Sequence, residues 1–298
     1  MVRSRTNSVF TRQYRVDGQG FDGQDSEAQG SESGDDSEVN AAATPQGATM
    51  GGRVPDELVV EEPLTIRLDD EVVSSTMRTP GHDFELAAGF LHTEGVLEPE
   101  WVTGIRYCGT GSPVESEFNV VSVETGGRAP EPTARLGSIS SACGVCGTEA
   151  IEELTARLRV LPKYDPWEND LLVQLPDILR SHQPLFDQTG AVHAAGAVDR
   201  NGQLIVARED IGRHNAVDKV IGRLLLDKAL PAHELALVVS GRSSFEMVQK
   251  AWAGGFTALV AVSAPSALAV ATARRAGLTV AGFVRDGQAN FYSPDWVV

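Results

Sequence analysis

The C-terminal part of the chain alternates strand and helix patterns so regularly that few folds can accommodate it. Three short apolar runs typical of buried strands are Leu235–Val239, Leu259–Val262 and Thr279–Phe283. Between them, apolar residues recur at helical spacing over Ser244–Ala253 and Ser266–Ala276. Because a helix between two such strands carries the chain back across the sheet, the strands run parallel. The sequence therefore predicts a parallel sheet with helices packed on it.

A β-hairpin and a longer helix are predicted just before this region. The runs Ala191–Val198 and Gln203–Ala207 flank Arg200-Asn201-Gly202, whose Asn-Gly pair is a strong hairpin signal. The helix expected over about Arg213–Leu226 has its apolar side chains on one face. This helix should therefore pack against the sheet.

The first half of the globular body predicts a smaller group of strands with one helix. Strands are expected at Leu58–Leu68 and Val72–Met77, joined by an Asp-Asp turn, and again near Ile105 and at Phe118–Val123. A helix should follow Pro80, because apolar residues recur there at helical spacing. This composition is typical of an α+β domain.

Three regions are predicted along the chain. Residues 1–52 are expected to be a disordered acidic tail, because most of them are Gly, Ser, Asp, Glu and Gln and cannot bury enough apolar surface to offset the entropy of ordering. Residues 53–134 form the small α+β domain and residues 135–298 the α/β domain. The Gly- and Pro-rich residues 126–132 are the best internal boundary.

The acidic composition limits the possible partners. The 298 residues carry a formal net charge of −16, so the protein repels duplex nucleic acid and anionic membranes, and neither is expected as a partner. No apolar run is long enough to span a membrane, and no apolar segment follows the N-terminal arginines as in a secretory signal. We expect a cytoplasmic protein.

The sharpest local motif is Ser-Ala-Cys143-Gly-Val-Cys146-Gly, just before a predicted helix. A thiol at the start of a helix is drawn toward the thiolate, which can attack a persulfide and accept its outer sulfur. The motif alone is not specific, because a metal half-site, redox or sulfur chemistry, and an incidental pair are all open. A structural zinc site needs two more ligands, and Cys108 stands alone, so a closed tetrahedral zinc site is disfavoured.

One pattern resembles the zinc deaminase signature. His92-Thr93-Glu94 followed by Cys143 and Cys146 mimics H-x-E…P-C-x-x-C, but Ala142 stands where that signature has proline. His92 is more simply explained as a half-exposed residue at the end of a helix. We therefore predict no tightly bound metal.

Three loops follow the predicted parallel strands at their carboxyl ends. They are Ser240–Ser244, Ser263–Ser266 and Val284–Gly287. The carboxyl edge of a parallel sheet is where ligands bind, and helix starts there offer free amides to phosphate. Arg242 and Arg285 would add bidentate contacts. Each loop alone is explained by helix capping, but together the loops predict a phosphate-bearing ligand.

A dense charged segment, Arg208–Asn215, lies between the hairpin and the long helix. Asp210 is a candidate helix cap, and His214 with Asp218 is expected to form a pair one turn apart on the polar face. A capped helix with a charged face explains the segment as well as a binding site does. We keep Arg213 and His214 as lower-ranked candidates to line a cleft.

Together, seven stretches of the body resemble the FdhD/NarQ family of formate dehydrogenase accessory sulfur carriers. In chain order they are EEPLTIRLDD, MRTPGHDFELAAGFLHTEG, SACGVCG, AREDIGRHNAVDKVIG, SGRSSFEMVQKA, VSAPSALAV and GFVRDGQANFY. They extend from about Glu61 to Tyr292, so the resemblance covers the whole globular body. The acidic tail lies outside it.

The resemblance implies a role in sulfur transfer. Such proteins accept sulfur from a cysteine desulfurase as a persulfide and pass it to a molybdenum bis(molybdopterin guanine dinucleotide) cofactor before the cofactor is inserted into apo formate dehydrogenase. The persulfide carrier would be Cys143, with Cys146 assisting.

The resemblance also implies where the nucleotide end of that cofactor is held. The segment concerned is Phe283, Val284, Arg285, Asp286, Gly287 and Gln288. The family's usual form has glycine directly after the arginine and a basic residue at the end. Asp286 and Gln288 occupy those places here, so the detailed contacts should differ. Arg213, His214 and Arg242 are additional candidates.

The implied fold is a cytidine-deaminase-like three-layer α/β domain preceded by the smaller α+β domain, and a homodimer is implied as well. Two alternatives from other classes stay open at this point. One is a zinc-dependent deaminase-like hydrolase, and the other is a chaperone that binds the cofactor without transferring sulfur.

Overall fold

The structure is a computed structural model that describes residues 4–16, 48–108, 118–130 and 155–293. The chain divides into two units. One consists of residues 8–58, and the other of residues 1–7 and 59–298. No helix in the described part of the chain is long and apolar enough to cross a membrane.

The N-terminal region contains a two-stranded sheet. Strand β1 (Thr6–Val16) pairs with β2 (Ala48–Val59). The tail predicted over residues 1–52 thus includes β1 and the first residues of β2. The sequence of β1 is rich in Val, Thr, Phe and Tyr, which favour strands, and this local preference is obscured by the long polar stretch that follows. Residues 17–47 lie outside the described part.

A four-stranded sheet begins the second unit. Its strands are β3 (Glu62–Leu68), β4 (Glu71–Arg78), β5 (Gly104–Tyr107) and β6 (Val120–Glu124), in the order β4-β3-β6-β5. The predicted Asp-Asp turn joins β3 to β4, and both of its residues have positive φ. Helix α1 (Asp83–Thr93) packs its apolar side on this sheet, and a 3-10 turn spans Pro99–Trp101.

The second sheet has six strands in the order β12-β11-β10-β9-β7-β8. The strands are β7 (His193–Asp199), β8 (Leu204–Asp210), β9 (Leu235–Val239), β10 (Ala258–Ala261), β11 (Thr279–Arg285) and β12 (Gln288–Ser293). Strands β9, β10 and β11 are parallel, while β7 pairs antiparallel with both β8 and β9. The predicted hairpin and parallel core are both confirmed.

Helices cover both faces of this sheet, which makes three layers. Three longer helices lie on one face: α5 (Arg213–Leu226), α6 (Phe245–Ala253) and α7 (Ala267–Ala276). Three short helices lie on the other: α2 (Asn169–Leu172), α3 (Leu175–Arg180) and α4 (Pro184–Thr189). Alternate residues of each central strand enter the two cores, as Leu237 and Val238 do in β9. The three-layer α/β prediction is confirmed.

The end of the chain departs from the predicted pattern. The last predicted strand covers Thr279–Phe283, whereas β11 continues to Arg285 and returns antiparallel as β12. The turn between them is Asp286-Gly287, and both residues have positive φ. An Asp-Gly pair is typical of a hairpin turn, so the sequence did contain a signal for the hairpin that forms this edge strand. The domain boundary predicted at residue 134 lies outside the described residues.

The two sheets of the second unit are joined where α1 crosses α5. A Cβ on Gly89 would lie 1.9 Å from the carbonyl oxygen of Asp218, and a Cβ on Gly222 would lie 1.8 Å from that of Glu85. Neither position has room for a side chain. The two helix backbones therefore touch at these glycines.

Buried ion pairs surround this crossing. The guanidinium of Arg208 donates to both carboxylate oxygens of Glu85, at 2.5 and 2.8 Å. Burial opposes ionisation of Glu85, but Arg208 and His82 outweigh it and lower the pKa of this carboxyl to about 2. Lys219 lies 2.6 Å from Asp210 and donates to the carbonyl oxygen of Thr79 at 2.9 Å.

We predict that Gly89→Ala destabilises the protein. An alanine usually stabilises a helix by up to about 1 kcal/mol relative to glycine, but here the methyl group would overlap the backbone of α5. Overpacking of this kind typically costs about 1–3 kcal/mol. The midpoint of urea unfolding measures the change.

Gly241→Ala is the matched control, because the nearest atom to its Cβ would be 3.6 Å away. It should leave the midpoint nearly unchanged. A Gly89→Ala protein as stable as the wild type would contradict the close crossing.

Candidate functional site

A cavity of about 600 Å³ opens at the carboxyl edge of the parallel strands. We call it the edge cavity. At this edge the lining comes from one end of each of β7, β9, β10 and β11 and from the turn after β11. The residues are His193, Ser240, Val262, Val284, Arg285 and Asp286. His193 joins this group because β7 runs antiparallel to β9, so its start lies beside the end of β9. The predicted ligand edge therefore contains a real cavity.

The opposite wall of the edge cavity comes from α3 and α4. The guanidinium of Arg180 lies over the ring of Phe186, 4.9 Å from its centroid, and pairs with Asp187 at 2.6 Å. Gln183 is buried and lines the cavity as well. This wall was not predicted from the sequence, because the helices that form it are short and have no clear periodicity.

The segment predicted to hold the nucleotide, residues 283–288, lies at this site. Its residues line two neighbouring surfaces. Val284, Arg285 and Asp286 line the edge cavity. Phe283, Gln288 and the same Arg285 and Asp286 line a neighbouring surface depression. Gly287, with φ of 71°, completes the hairpin turn that presents Arg285. Arg285 is exposed and its pair in the register is Gln288, so both ends of the turn face solvent.

The charged segment Arg208–Asn215 is mostly structural. Arg208 pairs with Glu85, as described above. The carboxylate of Glu209 accepts the backbone N–H groups of Leu185 and Phe186 at the start of α4. Asp210 accepts the N–H groups of Gly212 and Thr79. The prediction that it caps α5 is wrong, because Gly212 is the N-cap residue and no side chain caps this helix.

The predicted pair of His214 with Asp218 is wrong. Asp218 is almost fully buried and accepts from Lys250 at 2.9 Å and from Thr93 at 2.9 Å. His214 turns instead to α6, where its Nε2 lies 2.5 Å from Oε2 of Glu246 and lowers the pKa of that carboxyl. The prediction placed Asp218 on the polar face of the helix, but the residue is buried against the neighbouring helices, and they supply its partners.

Arg213 and His193 approach each other at the rim of the edge cavity. A Cβ on Gly241 would lie 3.6 Å from Nδ1 of His193 and 3.8 Å from Cδ of Arg213. Burial, followed by the nearby Arg213 and His214, lowers the pKa of His193. Arg213 was a candidate from the sequence, whereas His193 was not. Arg242, two residues after Ser240, is exposed and does not line the cavity.

The cysteine motif, with Cys143 and Cys146, lies outside the described residues. Cys108 is buried. Both ring nitrogens of His92 lie close to backbone carbonyl oxygens, Nδ1 at 2.9 Å from Leu97 and Nε2 at 3.2 Å from Ala253. Neither nitrogen is free for a metal, which argues against the deaminase-like signature.

The other possible metal ligands are scattered. In the ranges that the structure describes, no three or more His, Cys, Asp or Glu side chains are grouped so that they could hold an ion.

The fold and the edge cavity define a three-layer α/β protein with a cavity at the carboxyl edge of its parallel strands. The model of the FdhD/NarQ family matches residues 59–296. The chain belongs to this family.

Relatives and a solved structure are consistent with this assignment. The chain is 44% identical over 250 residues to the sulfur carrier protein FdhD of Corynebacterium efficiens, with 80% of this chain and 90% of the relative covered. It is 48% identical over 246 residues to the protein of the same name from Nocardia farcinica, with 81% and 88% covered. The crystal structure of a putative formate dehydrogenase accessory protein from Desulfotalea psychrophila shares the fold, with a TM-score of 0.67, 24% identity and 97% of both chains covered.

We predict that the pKa of His193 lies below the usual value of about 6.5 for a histidine, and that Arg213→Ala raises it. Removing the guanidinium removes a positive charge that disfavours the imidazolium. Titration of the histidine ring signals by NMR in a buffer free of phosphate measures both values.

The NMR signal of His193 is identified as the one that is missing from the spectrum of the His193→Gln variant. A pKa at or above 6.5 that does not respond to Arg213→Ala would contradict the described neighbourhood of His193.

Proposed function

We propose that this protein is a sulfur carrier required for formate dehydrogenase activity, and that it acts as a sulfurtransferase through a persulfide on Cys143. The observation that carries the proposal is the family match over residues 59–296, which includes both the SACGVCG motif and the residues of the edge cavity. Its relatives bear the name sulfur carrier protein FdhD. The alternative of a zinc-dependent hydrolase loses support, because both nitrogens of His92 are engaged by carbonyl groups.

The loading step follows from thiolate chemistry. The thiolate of Cys143 attacks the outer sulfur of a persulfide on a cysteine desulfurase. The bond between that sulfur and the desulfurase cysteine breaks, and the desulfurase leaves as a thiolate. Cys143 then carries the sulfur as its own persulfide, and no electrons are gained or lost overall.

Cys146 can assist the release. Its thiolate attacks Sγ of the Cys143 persulfide, which forms a Cys143–Cys146 disulfide and releases the outer sulfur as sulfide. The two cysteines supply the two electrons that reduce this sulfur. A thiol reductant then restores the pair.

The acceptor in this proposal is molybdenum bis(molybdopterin guanine dinucleotide), a substrate that the protein holds only during transfer. The size and position of the edge cavity support it, because ligands bind at the carboxyl edge of parallel strands. The charged residues of its lining are Arg180 and Arg285 with the carboxylates Asp177 and Asp286, and Arg180 also pairs with Asp187. The diphosphate of a guanine nucleotide would meet Arg285.

The partners follow from the same proposal. A cysteine desulfurase donates the sulfur, apo formate dehydrogenase receives the finished cofactor, and two copies of the chain act as a homodimer. All of these steps would take place in the cytoplasm.

We predict that Cys143→Ala abolishes persulfide formation. The alanine has no thiolate to accept the sulfur, so formate dehydrogenase activity in cells should disappear as well. Intact mass after incubation with a desulfurase and cysteine, with and without cyanide to remove the outer sulfur, measures the loading.

Two further variants make the result specific. Cys108→Ala removes a buried thiol and should load normally, while Cys146→Ala should load but release its sulfur slowly. A Cys143→Ala protein that still gains a cyanide-removable sulfur would contradict the carrier role and favour a cofactor chaperone that transfers no sulfur.

We predict that Arg285→Ala weakens GDP binding by roughly 10- to 150-fold, the range expected when a charge-assisted contact worth about 1.5–3 kcal/mol is lost. Persulfide loading should be unchanged, because it depends on Cys143. Calorimetry with GDP measures the affinity.

Arg159→Ala is the matched control, since Arg159 is exposed and the bond that Trp252 donates to it goes to the backbone carbonyl oxygen, which the variant keeps. Its GDP affinity should equal that of the wild type. Equal affinities for Arg285→Ala and the wild type would place the nucleotide elsewhere.

A further inference from the structure

A buried polar side chain in the wall of the edge cavity has no partner in the fold. Gln183 is only 5% exposed and lies directly before α4, where it lines the cavity. Its side-chain amide forms no hydrogen bond with a described residue. Buried polar groups are nearly always paired, because an unpaired group has lost its bonds to water without a replacement. The amide of Gln183 therefore needs a partner that enters the cavity.

The start of α4 is complete without this amide. Gln183 occupies the N-cap position of the helix, but its side chain does not cap it. The carboxylate of Glu209 accepts the N–H groups of Leu185 and Phe186 instead, at 3.0 and 2.8 Å. The N–H of Asp187 is donated to the backbone carbonyl of Gln183. The side chain of Gln183 is therefore not required to hold the helix start.

The neighbours of Gln183 belong to a different surface. Ser181, His182 and Pro184 line a separate depression beside β8, and none of them lines the edge cavity. Gln183 is the one residue of this turn that lines the edge cavity. Its side chain is therefore directed towards that cavity.

The rest of the cavity suits a flat ligand with apolar faces. Apolar side chains line it from both layers, among them Leu179, Phe186, Val192, Val262 and Val284. Proteins bind a heterocyclic base by apolar contacts to its faces and hydrogen bonds to its polar edge. An amide has a donor and an acceptor side by side, so it matches a base edge on which an acceptor and a donor are adjacent.

The carboxylates of the cavity favour guanine over adenine. Asp177 and Asp286 line the cavity, and neither carboxylate is paired with a described residue. An ionised carboxylate can only accept hydrogen bonds. Guanine presents N1–H and its 2-amino group as donors beside the acceptor O6, whereas adenine has an acceptor at N1. Guanine therefore has a donor left for a carboxylate when an amide binds O6 and N1–H.

We infer that Gln183 is a specificity-determining residue that reads the polar edge of a guanine base in the edge cavity. Its amide N–H donates to O6, and its amide oxygen accepts from N1–H. The inference rests on the proposed function, which places a guanine nucleotide in this cavity, and it assigns the base to the wall formed by α3 and α4. Arg285 lies on the opposite wall, so base and phosphates are bound by different parts of the cavity.

The test uses the full-length protein and calorimetry with GDP, ADP and pyrophosphate. Gln183→Met replaces the amide by an unbranched apolar side chain of similar length, and Gln183→Leu is a second variant of the same kind. Gln188→Met is the matched control, because Gln188 lies in α4, is exposed and does not line the cavity. Urea unfolding of each variant measures its stability.

The wild type should bind GDP more tightly than ADP or pyrophosphate. Both Gln183 variants should bind GDP roughly 10-fold more weakly, and pyrophosphate as tightly as the wild type does, because pyrophosphate has no base. Their urea midpoints should equal or exceed that of the wild type, since an apolar side chain removes an unpaired buried amide. Gln188→Met should match the wild type throughout.

The outcomes separate this inference from the proposed function. If GDP binds equally to the wild type and to both Gln183 variants, the inference is wrong and the nucleotide proposal stands. It is also overturned if both variants lose pyrophosphate together with GDP, or if both have a lower urea midpoint, because the amide then serves the phosphates or the fold. If the wild type binds GDP no more tightly than ADP or pyrophosphate, the nucleotide proposal and the inference both fail.

Discussion

The contact between Gly89 and Gly222 determines how the second unit is assembled. At this crossing the backbones of α1 and α5 touch, so the helix on the four-stranded sheet packs directly against a helix on the six-stranded sheet. A close approach of helices is favourable only if the polar groups that it buries are paired. The ion pairs Arg208–Glu85 and Lys219–Asp210 satisfy this requirement on one side of the crossing.

The same interface fixes the two helices that begin at the site. Lys250 in α6 donates to Asp218 in α5 at 2.9 Å and lies 3.5 Å from Glu94, just after α1. Burial of Lys250 opposes its charge, but Asp218 and Glu94 outweigh it and raise the pKa of the ammonium. Removing one partner of such a buried pair leaves an uncompensated charge, which is strongly destabilising. This pairing therefore links the middle of α6 to the middle of α5 and to the end of α1.

The sequence predicted the order and direction of the central strands, because periodicity and the Asn-Gly turn are local signals. It also predicted Arg285 at the carboxyl edge, since topology alone places strand ends together. The sequence did not predict the pairings that depend on contacts between distant parts of the chain. Asp218 and Lys250 are charged residues on neighbouring helices, and only the packing of α1 against them explains their pairing. His193 belongs to the site because β7 is antiparallel to β9, which no motif around it indicates.

We propose that sulfur held on this protein is delivered to the molybdenum cofactor. The most direct measurement loads the protein with radioactive sulfur from a desulfurase, adds molybdenum bis(molybdopterin guanine dinucleotide), and separates protein from cofactor. The account predicts that the label leaves Cys143 and appears on the cofactor in the amount lost from the protein. Label that stays on the protein while the cofactor binds would contradict the account, because it would describe a chaperone that transfers no sulfur.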